Sequence, residues 1–369
     1  MKIARIELSH HRLRLDPPFV AAWDSRPREH FDLSLVRVTT DEGLTGVGAG
    51  DAMPGFAGHE HLFLEHNPLD MERHFRVIEN LSFHYGRCWP LDIALWDLAG
   101  KIHDQPVWRL LGAASGRVRC YASSGVLRAK REMLEMARSF VDAGFPAMKV
   151  RFHRASIDED LAVLETLREN LGESIEIMVD CNQGWRMPWD TLPPWTFKQA
   201  LNVARALEDL DAYWMEEPLH RGDYVGMAAL REATDLRVAG GEMTRELHEF
   251  RELIARGCLD VLQPDCALSG GITGLSRIAA MARAHNLLFT PHTWGHGIQV
   301  MANAHLMAGA VGEEAFLEYP FDPPEWSPER RDFGLAVPIE TDSEGYLALS
   351  EAPGLGIELD EDLLARTQM

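Results

Sequence analysis

Short apolar segments and helical patterns alternate regularly over the long central part of this sequence. Eight of the short segments are predicted strands, namely Val118–Ala122, Ala147–Arg151, Ile175–Asp180, Tyr213–Glu216, Leu236–Ala239, Leu259–Gln263, Leu287–Thr290 and Ala315–Glu318. Strands joined by helices pair in parallel, and eight strands with seven helical links favour a closed barrel over an open sheet. We therefore predict an α/β fold built on a parallel barrel, whose chemistry lies at the carboxyl ends of the strands.

The sequence before this alternating series has a different pattern. Lys2–Leu15 and Phe31–Thr39 alternate apolar and polar residues, which predicts antiparallel strands, and a helix is predicted to begin at Pro90. Pro17–His30 and Gly50–Gly58 are predicted to be loops. After the last predicted strand, a proline-rich connection leads to a tail without strand–helix alternation, and we expect this tail to pack back on the N-terminal segment.

Three successive β units carry a carboxylate where the strand ends: Asp180, Glu216 and Glu242. A barrel would bring the three together at one rim, where they cannot all stay ionised without a positive charge between them. Each alone could simply cap the following helix. Their matched positions favour a site for one divalent cation, and oxygen ligands favour Mg²⁺. Glu217 is ambiguous, because consecutive side chains on a strand point to opposite faces and only one of this adjacent pair can face the rim centre.

Two cations and a candidate base belong to other strands of the same series. Lys149 and Arg151 are two residues apart on one strand, so both face the barrel mouth, either as an anion-binding charge network or as solvated rim charges. Asp265 and His292 follow the sixth and seventh predicted strands, within expected hydrogen-bond reach of each other. A carboxylate bonded to one imidazole nitrogen raises the basicity of the other, so we interpret His292 as a general base rather than a structural histidine.

Three further residues near the predicted rim are candidates for substrate contact. Glu318, at the end of the eighth predicted strand, could hydrogen-bond a substrate or merely cap the barrel. Trp294 and His296 lie on a predicted rim loop, so they are candidates for determining substrate specificity.

Composition narrows the range of partners. The chain of 369 residues has 57 acidic and 36 basic residues and a formal net charge of −21, which argues against a nucleic acid or a membrane surface as partner. Its five cysteines show no CxxC pairing, which argues against a disulfide framework or a zinc site and favours a reducing cytoplasm. We find no signal-peptide core and no apolar run that could span a bilayer. We expect a cytoplasmic protein that binds a small anionic molecule.

At these residues the chain resembles the mandelate racemase group of the enolase superfamily, over nearly its whole length. Cys88–Gly112 is similar to the group's N-terminal signature, and Gly144–Lys149 matches the approach to its Lys-x-Lys motif. The remaining matches are the group's metal ligands, its Asp–His dyad and its acidic residue near the substrate carboxylate, which correspond to Asp180, Glu216, Glu242, Asp265, His292 and Glu318.

The resemblance implies a modified TIM barrel of the (β/α)7β type over residues 116–325. Residues 1–115 and the tail 326–369 would form an α+β capping domain, with two loops, one of them carrying Trp23, that close on the substrate and select it. The common step of the family is removal of the proton α to a carboxylate, while Mg²⁺ and nearby cations stabilise the enediolate. The family also implies a small carboxylate substrate and a homo-oligomer.

One departure from the family pattern affects the expected reaction. Arg151 stands where racemases of the group carry a second lysine, and a guanidinium stays protonated and is a poor base. Lys149 would then contact the substrate carboxylate, leaving His292, supported by Asp265, as the one convincing base. One base suits β-elimination of water, so we expect a dehydratase that converts an aldonate or aldarate to a 2-keto-3-deoxy acid. Asn182 stands where some dehydratases of the group carry a histidine, so that subtype is not supported and Asn182 becomes a candidate substrate contact.

Two other interpretations stay open at this point. The same site could serve a racemase or epimerase, or a cycloisomerase that opens a sugar lactone, and deuterium exchange from solvent would separate these reactions. A metal-binding regulatory protein in which catalysis has decayed is a different class of protein. The complete ligand set, the dyad and Lys149 argue against that class.

Overall fold

The computed structural model describes residues 1–50, 52–311 and 315–369. Its N-terminal part begins with a three-stranded antiparallel sheet made of β1 (Ile3–Phe19), β2 (Arg28–Thr40) and β3 (Thr45–Gly50). Three helices follow, namely α1 (Met71–Tyr85), α2 (Pro90–Ile102) and the short α3 (Val107–Leu110). The predicted antiparallel strands and the helix beginning at Pro90 are confirmed.

The predicted loop Pro17–His30 is wrong at both ends. β1 continues to Phe19 and β2 begins at Arg28, so the connection shortens to residues 20–27. The pairing of the two strands shifts in register between Arg14 and Phe19. Prolines, which cannot donate to a ladder, are accommodated at such irregularities, and this is why the strand continues past them.

The second predicted loop, Gly50–Gly58, falls partly outside the described residues. Gly50 is the last residue of β3, Asp51 is not described, and residues 52–58 contain turns without a helix or strand. Within this segment Met53 and Phe56 are buried in the core formed by the N-terminal sheet and helices. The expectation of a loop is therefore confirmed for residues 52–58, and apolar side chains anchor it.

β3 packs against α2 through a face that has no side chains. Gly46, Gly48 and Gly50 occupy alternate positions of the strand, on the face that meets the helix. A Cβ atom built on Gly48 would lie 2.1 Å from the carbonyl oxygen of Pro90 and 2.6 Å from the amide nitrogen of Ala94. The close approach of the helix to the strand backbone therefore depends on these glycines.

The barrel is formed by eight parallel strands with helices between them. The strands are β4 (Arg117–Ser123), β5 (Ala147–Arg151), β6 (Glu176–Asp180), β7 (Trp214–Glu216), β8 (Arg237–Gly240), β9 (Val261–Leu262), β10 (Leu288–Phe289) and β11 (Leu317–Pro320). Hydrogen bonds connect them in the order β10-β9-β8-β7-β6-β5-β4-β11, so the last strand pairs with the first. Each predicted strand is found, although β9 and β10 keep only two residues each. The predicted modified TIM barrel is confirmed.

Helices supply the seven links between these strands. They are α4 (Lys130–Asp142), α5 (Ile157–Leu171), α6 (Phe197–Asp209), α7 (Tyr224–Glu232), α8 (Leu247–Ala255), the pair α9 (Cys266–Ser269) and α10 (Gly271–Ala284), and α11 (Gly297–Ala310). None of the helices in the described ranges combines the length and hydropathy that a bilayer-spanning segment needs. The helices cover the barrel from outside, as expected when parallel strands are joined by crossover links.

Two layers of side chains fill the barrel interior. One layer is apolar, and its buried members are Tyr121, Ala147, Met178, Trp214, Ala239, Val261 and Phe316. Side chains two residues apart share a face of a strand, so Lys149, Asp180 and Glu216 form part of a second, polar layer nearer the carboxyl ends. The register pairs Arg151 with Asp180 and Asp180 with Glu216, which brings charged residues of three strands side by side.

The C-terminal tail contacts both parts of the molecule. It contains α12 (Pro328–Arg331), β12 (Tyr346–Ala348) and α13 (Glu361–Thr367). α13 packs on β1, where His11 Nδ1 lies 2.9 Å from the carbonyl oxygen of Leu364. β12 also pairs antiparallel with β4 of the barrel. Three residues give too little alternation for that strand to be predicted from the sequence.

Asp92 of α2 fixes the capping domain to the barrel. Its two carboxylate oxygens accept hydrogen bonds from the amide of Thr273, at 3.0 Å, and from the hydroxyl of Thr273, at 2.7 Å. Thr273 lies in the first turn of α10, so Asp92 caps this helix from another domain. Burial raises the pKa of Asp92 to about 6.

We expect Gly48→Ala to lower the thermal melting temperature by a few degrees. The added methyl group would overlap the backbone of α2, and such overpacking costs about 1–3 kcal/mol. Differential scanning calorimetry at one protein concentration measures the shift. Gly222→Ala is the matched control, because a Cβ there meets its nearest atom at 3.4 Å and requires no left-handed backbone. Equal melting temperatures for the two variants would contradict the close contact.

Candidate active site

Three carboxylates converge at the carboxyl-terminal mouth of the barrel. Asp180 is the last residue of β6, Glu216 is the last residue of β7, and Glu242 follows β8 by two residues. Each offers one oxygen atom, and these three atoms all lie within 4.8 Å of one another. All three side chains are buried. A group of hard oxygen donors at this spacing can hold a divalent cation.

Glu217 lies beside this group and does not belong to it. Its backbone has a φ of 47°, and its Oε1 would lie 2.3 Å from a Cβ built on Gly184, so its carboxyl packs against that glycine. Within the described residues, its Oε2 is buried without a hydrogen-bond partner. Burial, together with the charges of Glu242 and Asp180, raises the pKa of Glu217 well above its usual range. Of the adjacent pair, Glu216 is therefore the candidate metal ligand.

Hydrogen bonds from residues that the sequence did not single out hold two of the carboxylates. Gln263 Nε2 donates to Glu216 Oε2 at 2.8 Å, and Trp214 Nε1 donates to the same oxygen at 3.2 Å. Trp185 Nε1 donates to Glu242 Oε1 at 2.7 Å. Of these three supporting residues, the sequence pattern could have indicated Trp214, because it precedes Glu216 by two strand positions and so lies on the same face of the strand.

The electrostatics of the group favour an additional cation. Burial raises the pKa of Asp180 and of Glu216, and the charges of Lys149 and Arg151 offset this effect only in part. Asp180 and Glu216 therefore resist full ionisation in the presence of these two cations alone. A divalent cation among the oxygen atoms would supply the missing positive charge, and hard oxygen donors suit Mg²⁺. The residues present thus fit this ion.

Lys149 and Arg151 are buried within the carboxylate network, so neither is a solvated rim charge. Lys149 Nζ lies 2.7 Å from Glu216 Oε1 and 2.8 Å from Glu318 Oε1. Arg151 forms an ion pair with Asp180. Burial lowers the pKa of each cation, but the surrounding carboxylates outweigh burial and raise it. Both side chains therefore hold their protons firmly.

Both carboxylate oxygens of Glu318 accept hydrogen bonds from other residues of the chain. Ser123 Oγ donates to Oε1 at 2.7 Å, and the amide of Thr293 donates to Oε2 at 2.9 Å. Burial alone would raise the pKa of Glu318, but the charges of Lys149 and His292 hold it well below its usual range. This arrangement favours a role in fixing Lys149 over direct contact with a substrate.

Asp265 and His292 lie within hydrogen-bond distance of each other, as their strand positions predicted. His292 Nδ1 is 2.9 Å from Asp265 Oδ2, and His292 Nε2 is 3.6 Å from Glu242 Oε2. Burial lowers the pKa of His292, but the charges of Glu242 and Glu318 and the bond to Asp265 raise it to about 9. In its neutral form, an imidazole held by a carboxylate through Nδ1 presents Nε2 as a proton acceptor, and a divalent cation bound to Glu242 would offset the negative charge that raises this pKa.

A cavity of about 600 Å³ opens onto these groups. Its walls include each of the expected specificity residues together with members of the charge network, namely Trp23, Asn182, Trp294, His296, Arg151, Glu242 and His292. Lys149 and Glu318 lie deeper, with no exposed surface. The volume falls in the range of small-molecule sites, and the wall combines apolar side chains with a few polar groups.

Trp23 reaches the cavity from the connection between β1 and β2. Its ring lies 5.1 Å from that of Trp294 in an edge-to-face arrangement, and the guanidinium of Arg151 lies 4.9 Å from the Trp23 ring. Trp189 Nε1, in the segment after β6, donates to Asp24 Oδ1 at 3.1 Å and holds this connection in place. The capping domain therefore contacts the charge network through an aromatic ring.

Comparisons with known proteins agree with this architecture. Residues 132–363 match a family model described as enolase C-terminal domain-like. A D-galactarolactone cycloisomerase of Agrobacterium fabrum (strain C58) is 29% identical, with 100% of this chain and 99% of that protein covered. An arabinonate dehydratase of Saccharolobus solfataricus is 31% identical, with 72% of this chain and 68% of that protein covered.

A solved structure of a racemase from Streptomyces coelicolor A3(2) with bound magnesium is similar over 100% of both chains, with 27% identity and a TM-score of 0.86. The chain belongs to the enolase superfamily, with a C-terminal domain of the mandelate racemase and muconate lactonizing enzyme type. It is thus a member of a superfamily of enzymes. Its relatives include a cycloisomerase, a dehydratase and a racemase, so family membership alone leaves the reaction open.

We expect Glu216→Gln to weaken Mg²⁺ binding at least about 100-fold, because loss of even an outer partner of a metal ligand costs 10–100-fold. Glu217→Gln, the neighbouring control, should stay within about twofold, because its carboxyl faces Gly184. Isothermal titration with MgCl₂ measures both affinities. Equal losses in the two variants would contradict the assignment of Glu216.

Proposed function

We propose that this chain is a Mg²⁺-dependent acid-sugar dehydratase. The reaction would remove the proton α to the carboxylate of an aldonate or aldarate and release the β-hydroxyl as water, leaving a 2-keto-3-deoxy acid. One observation carries the proposal. Among the described residues that line the cavity, His292 with Asp265 is the one supported base, beside the three candidate metal ligands, while Lys149 and Arg151 are engaged in buried ion pairs.

The number of bases distinguishes the candidate reactions. A two-base racemase needs groups that exchange protons on both faces of the substrate. Lys149 and Arg151 are unsuitable for the second role, because the carboxylates around them raise their pKa values and keep both protonated. β-Elimination of water needs only one such group, because the imidazolium formed in the first step can protonate the departing hydroxyl in the second.

In the proposed mechanism, the chain's own residues bind the substrate and move one proton. Mg²⁺ held by Asp180, Glu216 and Glu242 would bind the substrate carboxylate and stabilise the negative charge that develops on it. Arg151, on the cavity wall, adds a fixed positive charge beside the same carboxylate. His292 Nε2 takes the α-proton, and the electron pair left on carbon forms the enediolate. Collapse of the enediolate expels the β-hydroxyl, which leaves as water with the proton from His292. The enol that remains takes a proton from solvent at C3 and loses the proton of its C2 hydroxyl, which gives the 2-keto-3-deoxy acid.

A second candidate is a cycloisomerase that opens a sugar lactone. Its first step is the same removal of the α-proton, and only the leaving group differs. A ring oxygen replaces the hydroxyl and stays attached to the molecule, so the product is an isomer of the substrate. The D-galactarolactone cycloisomerase, which aligns with the whole of this chain, is the observation that favours this candidate.

A panel of aldonates, aldarates and their lactones, incubated with the protein and Mg²⁺ in D₂O, separates the reactions. Proton NMR and mass spectrometry should detect a keto acid that is one water lighter than its substrate. A keto acid of unchanged mass would indicate lactone opening instead. Deuterium in recovered substrate without any keto acid would contradict both eliminations and favour an epimerase.

We expect His292→Asn to lower kcat for keto-acid formation about 10²–10⁴-fold, the usual contribution of a general base. Mg²⁺ affinity should change little, because His292 is not one of the three candidate ligands. Steady-state kinetics and calorimetry measure the two effects. His285→Asn, at an exposed position after α10, is the matched control and should keep full activity. If His292→Asn kept its turnover, the general base would have to be a residue other than His292.

A further inference from the structure

The carboxylate of Asp265 is held by more than its bond to His292. Its Oδ1 accepts a hydrogen bond from the amide of Ala267 at 2.8 Å. Its Oδ2 accepts one from Gln299 Nε2 as well as the bond from His292 Nδ1. Asp265 is fully buried, and Gln299 is 4% exposed. The carboxylate therefore cannot rotate without losing bonds that water cannot readily replace.

Asn303 connects the backbone segments that carry the dyad. Its Nδ2 donates to the carbonyl oxygen of His292 at 3.0 Å, and its Oδ1 accepts from the amide of Cys266 at 3.0 Å. Gln299 and Asn303 are four residues apart on α11, so they project from the same face of the helix. One helix face therefore fixes the position of Asp265 and His292 together.

Asp265 and Gly295 together define the position of the Gln299 amide. The NH₂ group faces Asp265, because a carboxylate oxygen can accept a hydrogen bond from it and could not bond the amide oxygen. A Cβ atom at Gly295 would lie 1.9 Å from Gln299 Oε1, so the absence of a side chain there creates the space for this oxygen. A donor at this position fixes the carboxylate, and a fixed carboxylate bonded to Nδ1 holds the imidazole ring in one orientation.

We propose that Gln299 is a positioning residue for the base of the reaction, with Asn303 as its partner on α11. Gln299 acts through Asp265: it fixes the carboxylate, the carboxylate fixes the imidazole ring through Nδ1, and Nε2 is held on the side of the ring away from Asp265. The proposal rests on the proposed function in one respect, the role of His292 as the base. It adds to the residues proposed to act in the reaction one that lies on α11, the helix after the seventh barrel strand.

Gln299→Met tests the proposal, because it keeps the length of the side chain and removes the donor. We expect kcat to fall about 10–100-fold, as for the loss of comparable outer partners of catalytic histidines, with KM changed less than about threefold. The isotope effect with substrate deuterated at the α-carbon should increase, because proton removal becomes slower than other steps. Met307→Leu, a buried and conservative change on the same helix, should leave these values unaltered.

A second measurement does not depend on turnover. In protein labelled with ¹⁵N-histidine and saturated with Mg²⁺, the Nδ1 proton of His292, assigned with His292→Asn, should shift or broaden in Gln299→Met and not in Met307→Leu. Unchanged ring signals would overturn the proposal, and so would a lower kcat with an unaltered isotope effect. If the wild type converts no acid sugar, the proposed function fails, while the ring signals still decide the role of Gln299.

Discussion

A cluster of buried charges at the barrel mouth is the constraint on which the rest of the site depends. Lys149 and Arg151 pair with Asp180, Glu216 and Glu318 where water is largely excluded. An unmatched buried ion costs several kcal/mol, so each of these charges restricts the position of the others. The negative charge that remains suits a divalent cation. The negative charges of Glu242 and Glu318 also raise the pKa of His292, so the proposed base and the candidate metal site are electrostatically coupled.

The fold supplies what this cluster needs to stay in place. The apolar layer inside the barrel closes the site from below, and the strand register sets neighbouring charges side by side. The capping domain closes it from above and is joined to the barrel at the hydrogen bond that Thr273 donates to Asp92 and at the contact of Trp23 with Arg151. Both joints bring together residues far apart in the chain, and so the cavity exists only once the two domains are packed.

The pairing of the cations also limits the chemistry. Lys149 is ion-paired with Glu216 and Glu318, and Arg151 is ion-paired with Asp180. In the proposed function these two cations therefore act as electrostatic groups rather than as bases. The chain shares its fold with a racemase, a dehydratase and a cycloisomerase, so the barrel does not choose among these reactions. We propose that the side chains around the substrate make the choice, and among the described residues that line the cavity His292 is the imidazole supported by a carboxylate.

The sequence by itself determined the barrel and the positions of its rim residues. Strands have a period of two and the links impose parallel order, so Asp180, Glu216, Asp265 and His292 could be assigned to one rim before any contact was known. Only the tertiary structure decided which of Glu216 and Glu217 faces the centre, that Lys149 lies beneath the cavity wall while Arg151 lies on it, and that Trp185 and Gln299 support the site. Those outcomes depend on side-chain orientation and on packing between distant segments, and no local periodicity in the chain encodes either.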